Sequence, residues 1–524
     1  MLPARMSPAL LPRLVAILAL MAAPFALGPA QAEPADIDAA ARGVVRVVII
    51  ESDGGRVIPV SHGSGFAVSA ERIVTNAHVV RQAMEDPSLS VGIVPSDGES
   101  AVYARVIAIS QRNDLALLGT TSPMQLPPLT ISGNPANDSG SVTAVGYPMN
   151  VDRAQGLSID DIFRAQPPVK STGFLSGRRP TRDFDSLLHT APIARGNSGG
   201  PLLDDCGRIV GVNSFGAESG SAESEFFFAV STRELLPFLR DNDIPPQINS
   251  LPCRSLAELE AAERARVERE QFAAQARAGQ DAQELTRRQD AQRRDIEFAV
   301  MAERENGMAM AGLLLILALG AGGIAYLRYQ DGEDRTAAIA GGVALLAVLA
   351  AGAAWMLRPA YGDVADRLAE STRREIEAGD PDTEPVRALA NGALRCILDS
   401  DRSRVTGAPA EDLAVEWRDD GCVNGRTQYA PSDGEWARIL VPEDEAVVSV
   451  NRFSPATREY RVERYLLGRE AIGRAREAHA AVEAPQCGAS AQALREFEAR
   501  QQAVVALLPS RPNERLVYRC RAGQ

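Results

Sequence analysis

Lysine is nearly missing from this chain: Lys170 is the only one, and arginine supplies the other 54 of its 55 basic side chains. Acidic residues number 68, so the formal net charge is −13. No basic stripe offsets that excess, which excludes nucleic acid as a partner, because phosphate contacts need clustered cations. The arginine bias, beside abundant alanine, reads as genome composition and not as a binding device. Histidine is scarce too, with four in the whole chain. Only His479 falls in the last third, so that region has no metal-ligand constellation, and no cofactor or metal is expected anywhere. Cysteine is held to six residues. A stretch from Ser255 to Asn306 has no proline and one glycine, which excludes a turn-rich fold there and favours helix by propensity.

What is present begins with a leader. Arg5 and Arg13 precede the apolar run Leu14 to Leu27, and Ala30-Gln31-Ala32 offers a small-residue exit. Residues 1–32 therefore read as a signal peptide, cleaved after Ala32. The competing reading, an uncleaved anchor, is weakened by the short run and by Pro24 within it. At 524 residues the chain suggests roughly two to four domains.

From Val44 to Phe238 the pattern is one of short strands: Val44–Ile50, Gly65–Val68, Val102–Ile109, Val142–Gly146, Arg208–Val212 and Phe226–Val230. These β-branched and aromatic runs, punctuated by Gly, Asn and Asp, suggest a sandwich or barrel. Thr232 to Asp241 reads as a closing helix with Thr232 as its N-cap. The Met149–Val169 connection reads as a surface loop, either gating a site or a tolerated insertion.

Three stretches in this part carry chemistry. Gly196-Asn197-Ser198-Gly199-Gly200-Pro201 surrounds one serine with glycines. A serine hydroxyl needs an adjacent base to act as a nucleophile, and glycines allow a substrate close to the backbone. The amides of Gly196, Asn197 and Ser198 are the candidate oxyanion donors, with Gly196 and Ser198 foremost. Upstream, Thr75-Asn76-Ala77-His78-Val79-Val80 ends a strand-like run in a histidine, and Asn113-Asp114-Leu115-Ala116-Leu117-Leu118 heads another with an acid. His78, Asp114 and Ser198 thus sit at strand ends or turns, where a barrel can converge them. Taken alone, the glycine-rich stretch also fits a tight turn between strands. His189 is the alternative base, though it reads better as a strand residue.

Together with Gly63-Ser64-Gly65-Phe66, these motifs resemble the trypsin-like serine proteases, specifically their HtrA/Deg-like bacterial branch. The resemblance covers roughly residues 40 to 240, under half the chain. It implies a double β-barrel with the site in the crevice between barrels. It also implies a nucleophile at Ser198, a proton carrier at His78 and an orienting carboxylate at Asp114. Relatives that prefer basic residues carry an acid six positions before the serine; here that position is Pro192. A small or medium apolar residue is therefore expected in the pocket, walled by Val212–Gly216 and Phe226–Val230. The chain departs from the best-known HtrA proteins in having no PDZ module after the protease part.

Beyond residue 250 the domains are read as follows. Residues 251–306 form a charged helical stalk with only Leu256, Leu259 and Phe272 as a sparse apolar stripe, about 75 Å long if unbroken. Residues 307–328 and 336–357 are two transmembrane helices, since Met308 to Leu327 and Ala337 to Leu357 carry no charge over a bilayer-spanning length. A buried core hairpin is the competing reading. Gly320, Gly322, Gly323, Gly341 and Gly342 suit close helix packing or reflect composition. Residues 329–335 become a short cytoplasmic link, and an even number of spans returns residues 358–524 to the protease's side. This last domain reads as small α+β, with helices at Val386–Leu398, Glu463–Val482 and Ala489–Leu508 and strands at Trp436–Val441 and Ala446–Asn451.

Export permits disulfides. Cys206 and Cys253 are expected to pair in the first exported part. Cys396, Cys422, Cys487 and Cys520 make two bridges in the last, with three pairings open. The expected whole is an exported serine endopeptidase anchored in a bacterial inner membrane. Its protease and C-terminal domains lie in the periplasm, acting on proteins or peptides in envelope quality control or regulated proteolysis. The stalk or the protease domain offers an oligomer contact. The rival is a protease-fold scaffold or sensor that works through its C-terminal domain.

Overall fold

Val44-Val45-Arg46-Val47-Val48-Ile49-Ile50 is apolar on nearly every residue because its strand is buried on both faces. Val45, Val47 and Ile49 point into one barrel, Val44 joins the core shared with the second, and Val48 and Ile50 lie under a connecting segment. The computed structural model describes residues 34–53, 56–98, 101–134, 139–180, 184–216, 226–360, 362–378 and 392–523. The signal-peptide reading falls outside these.

A short helix, α1 (Pro34–Ala41), leads into the first barrel. Its strands are β1 (Val44–Asp53), β2 (Arg56–Ser69), β3 (Arg72–Thr75), β4 (Leu89–Val94), β5 (Val102–Ser110) and β6 (Leu115–Thr120). They close in the order β1-β2-β3-β6-β5-β4, and helix α2 (Ala77–Glu85) spans β3 to β4. The second barrel follows with β7 (Ile131–Ser132), β8 (Gly140–Gly146), β9 (Val169–Arg178), β10 (Ser186–His189), β11 (Pro201–Leu203), β12 (Ile209–Gly216) and β13 (Phe227–Ser231). Order β11-β8-β9-β10-β13-β12 closes through pairing of β11 with β12, while β7 and β14 (Ile248–Asn249) extend from β12. A single apolar cluster joins Phe66, Val74, Leu115 and Leu117 of the first barrel to Val145, Leu203, Val212 and Val230 of the second. That shared core fixes the crevice where the motif-bearing turns meet.

Two local expectations change. Between β8 and β9 the chain is not a plain loop: it forms α3 (Met149–Ala154) and α4 (Ile159–Ile162), the latter with a capping box between Ser158 and Asp161. The closing helix α5 (Thr232–Asp241) is capped by Ser231, whose side chain accepts from Arg233 N–H, and not by Thr232. Both residues suit an N-cap, and the last strand residue is the one with extended backbone.

The chain divides into two compact units, Met1–Glu263 with Val386–Gln524, and Arg264–Pro385. The stalk and the first apolar segment form one continuous helix, α6 (Leu256–Gln330), so no structural boundary separates them. Helices α7 (Asp334–Met356) and α8 (Asp363–Ala378) follow. Among the described residues, α6 and α7 each hold a stretch long and apolar enough to cross a membrane.

The returning chain builds a nine-stranded antiparallel sheet. Its strands are β15 (Gly392–Leu398), β16 (Leu413–Trp417), β17 (Cys422–Val423), β18 (Thr427–Gln428), β19 (Ala430–Ser432), β20 (Glu435–Leu440), β21 (Val447–Ser454), β22 (Glu459–Leu466) and β23 (Glu514–Ala522). They run in the order β18-β17-β16-β15-β23-β22-β21-β20-β19. Helices α9 (Arg469–Ala480) and α10 (Ala491–Val505) bury Ile472, Ala475 and Val504 against it. The helix expected at Val386–Leu398 is corrected where it is described, from residue 392. Leu394 and Cys396 are buried while Ala393, Arg395 and Ile397 face out, a period of two set by pairing with β16 and β23. Glu463–Val482 likewise begins as the end of β22 and turns helical only from Arg469. Cys206 pairs with Cys253, Cys396 with Cys520 and Cys422 with Cys487.

Candidate active site

Thr75 ends β3, Asn76 turns the chain, and His78 sits in the first turn of α2, so its ring projects from the rim of the first barrel. Asp114 stands just before β6 with φ of 51°, a left-handed conformation that costs a non-glycine residue energy. Hydrogen bonds hold it there. Asn76 Nδ2 donates to its carbonyl (2.8 Å), and His78 N–H donates to Oδ1 (3.0 Å). The imidazole Nδ1 lies 2.8 Å from Oδ2, and Ser214 Oγ donates to the same oxygen at 2.7 Å. Burial pushes the Asp114 carboxyl up, but the hydrogen bonds and charge of His78 and the Ser214 hydroxyl outweigh it. The group therefore stays below its ordinary range and remains a carboxylate.

Ser198 comes from the turn before β11. Its Oγ donates to the Ser214 carbonyl at 2.7 Å. The structure brings Ser198, His78 and Asp114 to one crevice through Ser214, but among the described residues no hydrogen bond joins Ser198 Oγ to His78. Gly196 (φ 103°) and Gly199 (φ 85°) need their missing side chains: a Cβ at Gly196 would stand 2.2 Å from Tyr147 O, and one at Gly199 2.2 Å from Ser64 O. Asn197 N–H is committed to Ala194 O (3.0 Å), which removes it from the oxyanion donors expected by sequence. The N–H groups of Gly196 and Ser198 have no acceptor among the described residues.

Three contributors escaped the sequence reading of roles. Ser214 bridges acid and nucleophile. Ser64 Oγ donates to Gly196 O (2.7 Å) and accepts from Tyr147 N–H (2.9 Å), while its N–H donates to Ser198 O (2.8 Å). Thr75 Oγ1 donates to Ser64 O (2.7 Å). Ser64 had a signal, the G-S-G-F motif, but nothing in the motif says what its hydroxyl holds. Of the expected pocket walls, Phe215 stacks on Phe228 at 4.9 Å and is exposed, while Phe227 turns inward beside His189. Pro192 is exposed. His189 is fully buried in β10, and burial pushes its imidazole down to about 4. It is no second base at the crevice surface.

Residues 63–212 match the family model for the trypsin-like peptidase domain. Serine protease Rv3671c of Mycobacterium tuberculosis is 32% identical over 189 residues, covering 34% of this chain and 42% of that protein. Mitochondrial serine protease HTRA2 of Bos taurus is 33% identical over 187 residues, covering 35% and 37%. A solved structure of the Rv3671c protease from M. tuberculosis in its active form aligns with 44% of this chain and 96% of that one, at 23% identity and a TM-score of 0.32. The chain spans about two fifths of the length of the curated relatives it matches. Residues 63–212 are thus similar to a trypsin-like peptidase domain, and the relatives matched over this part of the chain are serine proteases, among them an HTRA2.

Proposed function

We propose that this chain is a membrane-anchored, exported serine endopeptidase working through Ser198, His78 and Asp114. The observation that carries the reading is the Asp114 carboxylate, held by His78 and Ser214, beside a serine whose turn leaves two N–H groups without an acceptor among the described residues. Ser198 Oγ turns from Ser214 O and attacks the peptide carbonyl as His78 Nε2 takes its proton. Asp114 keeps the other imidazole proton on Nδ1 and stabilises the imidazolium that forms. The tetrahedral oxyanion accepts from Gly196 and Ser198 N–H. Its collapse passes the proton to the leaving amine, and water then releases the acyl group by the same route. Exposed Phe215 and the absence of an acid at Pro192 favour small or medium apolar residues at the cleaved position.

The location in a bacterial envelope, with protease and C-terminal domains in the periplasm, rests on the leader, the two apolar helices and three disulfides. Proteins or peptides of that compartment are the proposed substrates, in quality control or regulated proteolysis. The test is cleavage of casein, with labelling by a serine-directed phosphonate. Ser198→Ala should lose both, with a fall in kcat of about 10⁶ and an unchanged melt. Wild-type protein that neither cleaves nor labels would favour the scaffold reading instead.

A further inference from the structure

A second cluster of ionisable groups lies behind the crevice. Arg46, on β1, is 1% exposed. A guanidinium so deeply buried needs partners, and among the described residues those of its terminal nitrogens and its face belong to residues 147–162, between the second barrel's strands. Its Nη2 donates to Asp152 Oδ1 (3.0 Å), its Nη1 to Ile162 O (3.1 Å), and its cation lies 4.7 Å over the Tyr147 ring. The other carboxylate oxygen, Asp152 Oδ2, stands 3.1 Å from His62 Nε2. That same nitrogen is 3.1 Å from Tyr147 O, a carbonyl it can only meet as the donor, in its Nε2–H tautomer. Neither Arg46 nor His62 takes part in the proposed reaction.

Their position matters because of the peptide unit they abut. The Arg195 carbonyl and the Gly196 N–H are opposite ends of one trans peptide, so fixing the carbonyl aims the N–H. Met149 N–H, at the start of α3, donates to Arg195 O at 2.7 Å. Ser64 Oγ, two residues after His62, holds the following carbonyl, Gly196 O. A Cβ at Gly196 would lie 3.0 Å from Met149 N and 3.2 Å from His62 Nε2, so imidazole, helix start and oxyanion turn are in mutual contact. Helix α3 has no side-chain cap of its own. What holds it against the turn is Asp152, which accepts from Arg46 and stands beside His62, and the Tyr147 carbonyl, which His62 contacts.

We infer that His62, beside the Arg46–Asp152 pair, is a positioning residue that keeps Met149 N–H on Arg195 O and thereby aims Gly196 N–H at the oxyanion. This rests on the serine-protease reading above. With His62 removed, α3 loses its hold at Tyr147 O and the 195–196 peptide is free to rotate its N–H away. Substrate still binds, but the transition state loses a donor.

The test uses the full chain with a chromogenic peptide. His62→Ala and Asp152→Asn should each lower kcat about 10- to 100-fold, with KM within about threefold. His62→Gln, which keeps an N–H at the Nε2 position, should recover to within about threefold of wild type. The double variant should be no worse than either single, because the residues act as a unit. If His62→Ala does not fold, His62→Asn, too short to reach Tyr147 O, carries the same expectation. Wild-type kcat in a folded His62→Ala protein, a loss confined to KM, or a Gln variant no better than Ala would overturn the inference. An unlabelled Ser198 in wild-type protein would instead overturn the protease reading, and this inference with it.

Discussion

His189 places a titratable ring where water does not reach. Its folded value, pushed by burial to about 4, lies below the ordinary 6.5, so the unfolded chain takes up a proton first as pH falls. Above about pH 6.5 the ring is neutral in both states and adds no pH dependence. Between 6.5 and 4 stability drains away, by up to about 3 kcal/mol. His189→Leu should lack that slope. Urea denaturation at pH 7.5 and 4.5 checks it: the variant's stability relative to wild type should rise by about 2 to 3 kcal/mol on acidification. Parallel pH dependences would show the ring is accessible to protons. Asp114 carries the same sign in a lower pH window, since its depressed value contributes stability that is present above the carboxylate range and lost as pH falls through it. At this scale the meeting of Ser198, His78 and Asp114 at one crevice was legible, because their motifs are local and lie at strand ends. Ser214 and Ser64 were not legible as bridges. A serine hydroxyl suits many surroundings, and which carbonyl it meets is decided by strands far apart in sequence.

Strands and helices were legible where burial is one-sided or complete, as in β1, β8 and α10, and misread where composition and partner pairing disagree. Alanine, leucine and arginine near residue 392 favour helix locally, yet β15 is clamped between β16 and β23 and crosslinked by Cys396–Cys520. The connection between β8 and β9 looked expendable because Arg46, its anchor, lies over a hundred residues upstream. A comparable long-range tie fixes α1. Arg404, 2% exposed, pairs with Asp36 of that helix and also donates to Asn513 O and to Arg254 O (2.7 Å), while Asn513 Nδ2 donates to the other Asp36 oxygen at 2.9 Å. Truncating Arg404 takes the cation away from the buried Asp36 carboxylate, so Arg404→Ala should cost about 3 to 5 kcal/mol. Replacing both, as Arg404→Met with Asp36→Leu, should cost much less. Urea melts of the two proteins distinguish the cases; equal losses would mean that packing, and not the lone charge, sets the penalty.

On the scale of the whole chain, residues on either side of the apolar helices belong to one compact unit, Met1–Glu263 with Val386–Gln524. Asn249 Nδ2 donates to Val405 O (2.7 Å) and Gly407 O (3.0 Å), and Asp36 meets Arg404, so both segments share buried polar contacts. Segments that fold together cannot lie on opposite faces of a bilayer, and an even number of crossings follows for whatever spans between them. Two helices satisfy that count. The cysteines point the same way, since each pairs within 34–263 or within 392–523 and all six are bonded. Cys206–Cys253 closes 47 residues of separation, a crosslink contributing about 4 kcal/mol on the chain-entropy model. A reporter active only outside the cytoplasm should therefore work when fused after Gln524 and fail when inserted within Asp331–Asp334. Thiol labelling of unreduced membranes should modify none of the six cysteines. An active reporter between the two helices, or a cytoplasmic C-terminus, would be incompatible with one folded unit on one side, and the apolar helices would then need a packing partner in place of lipid.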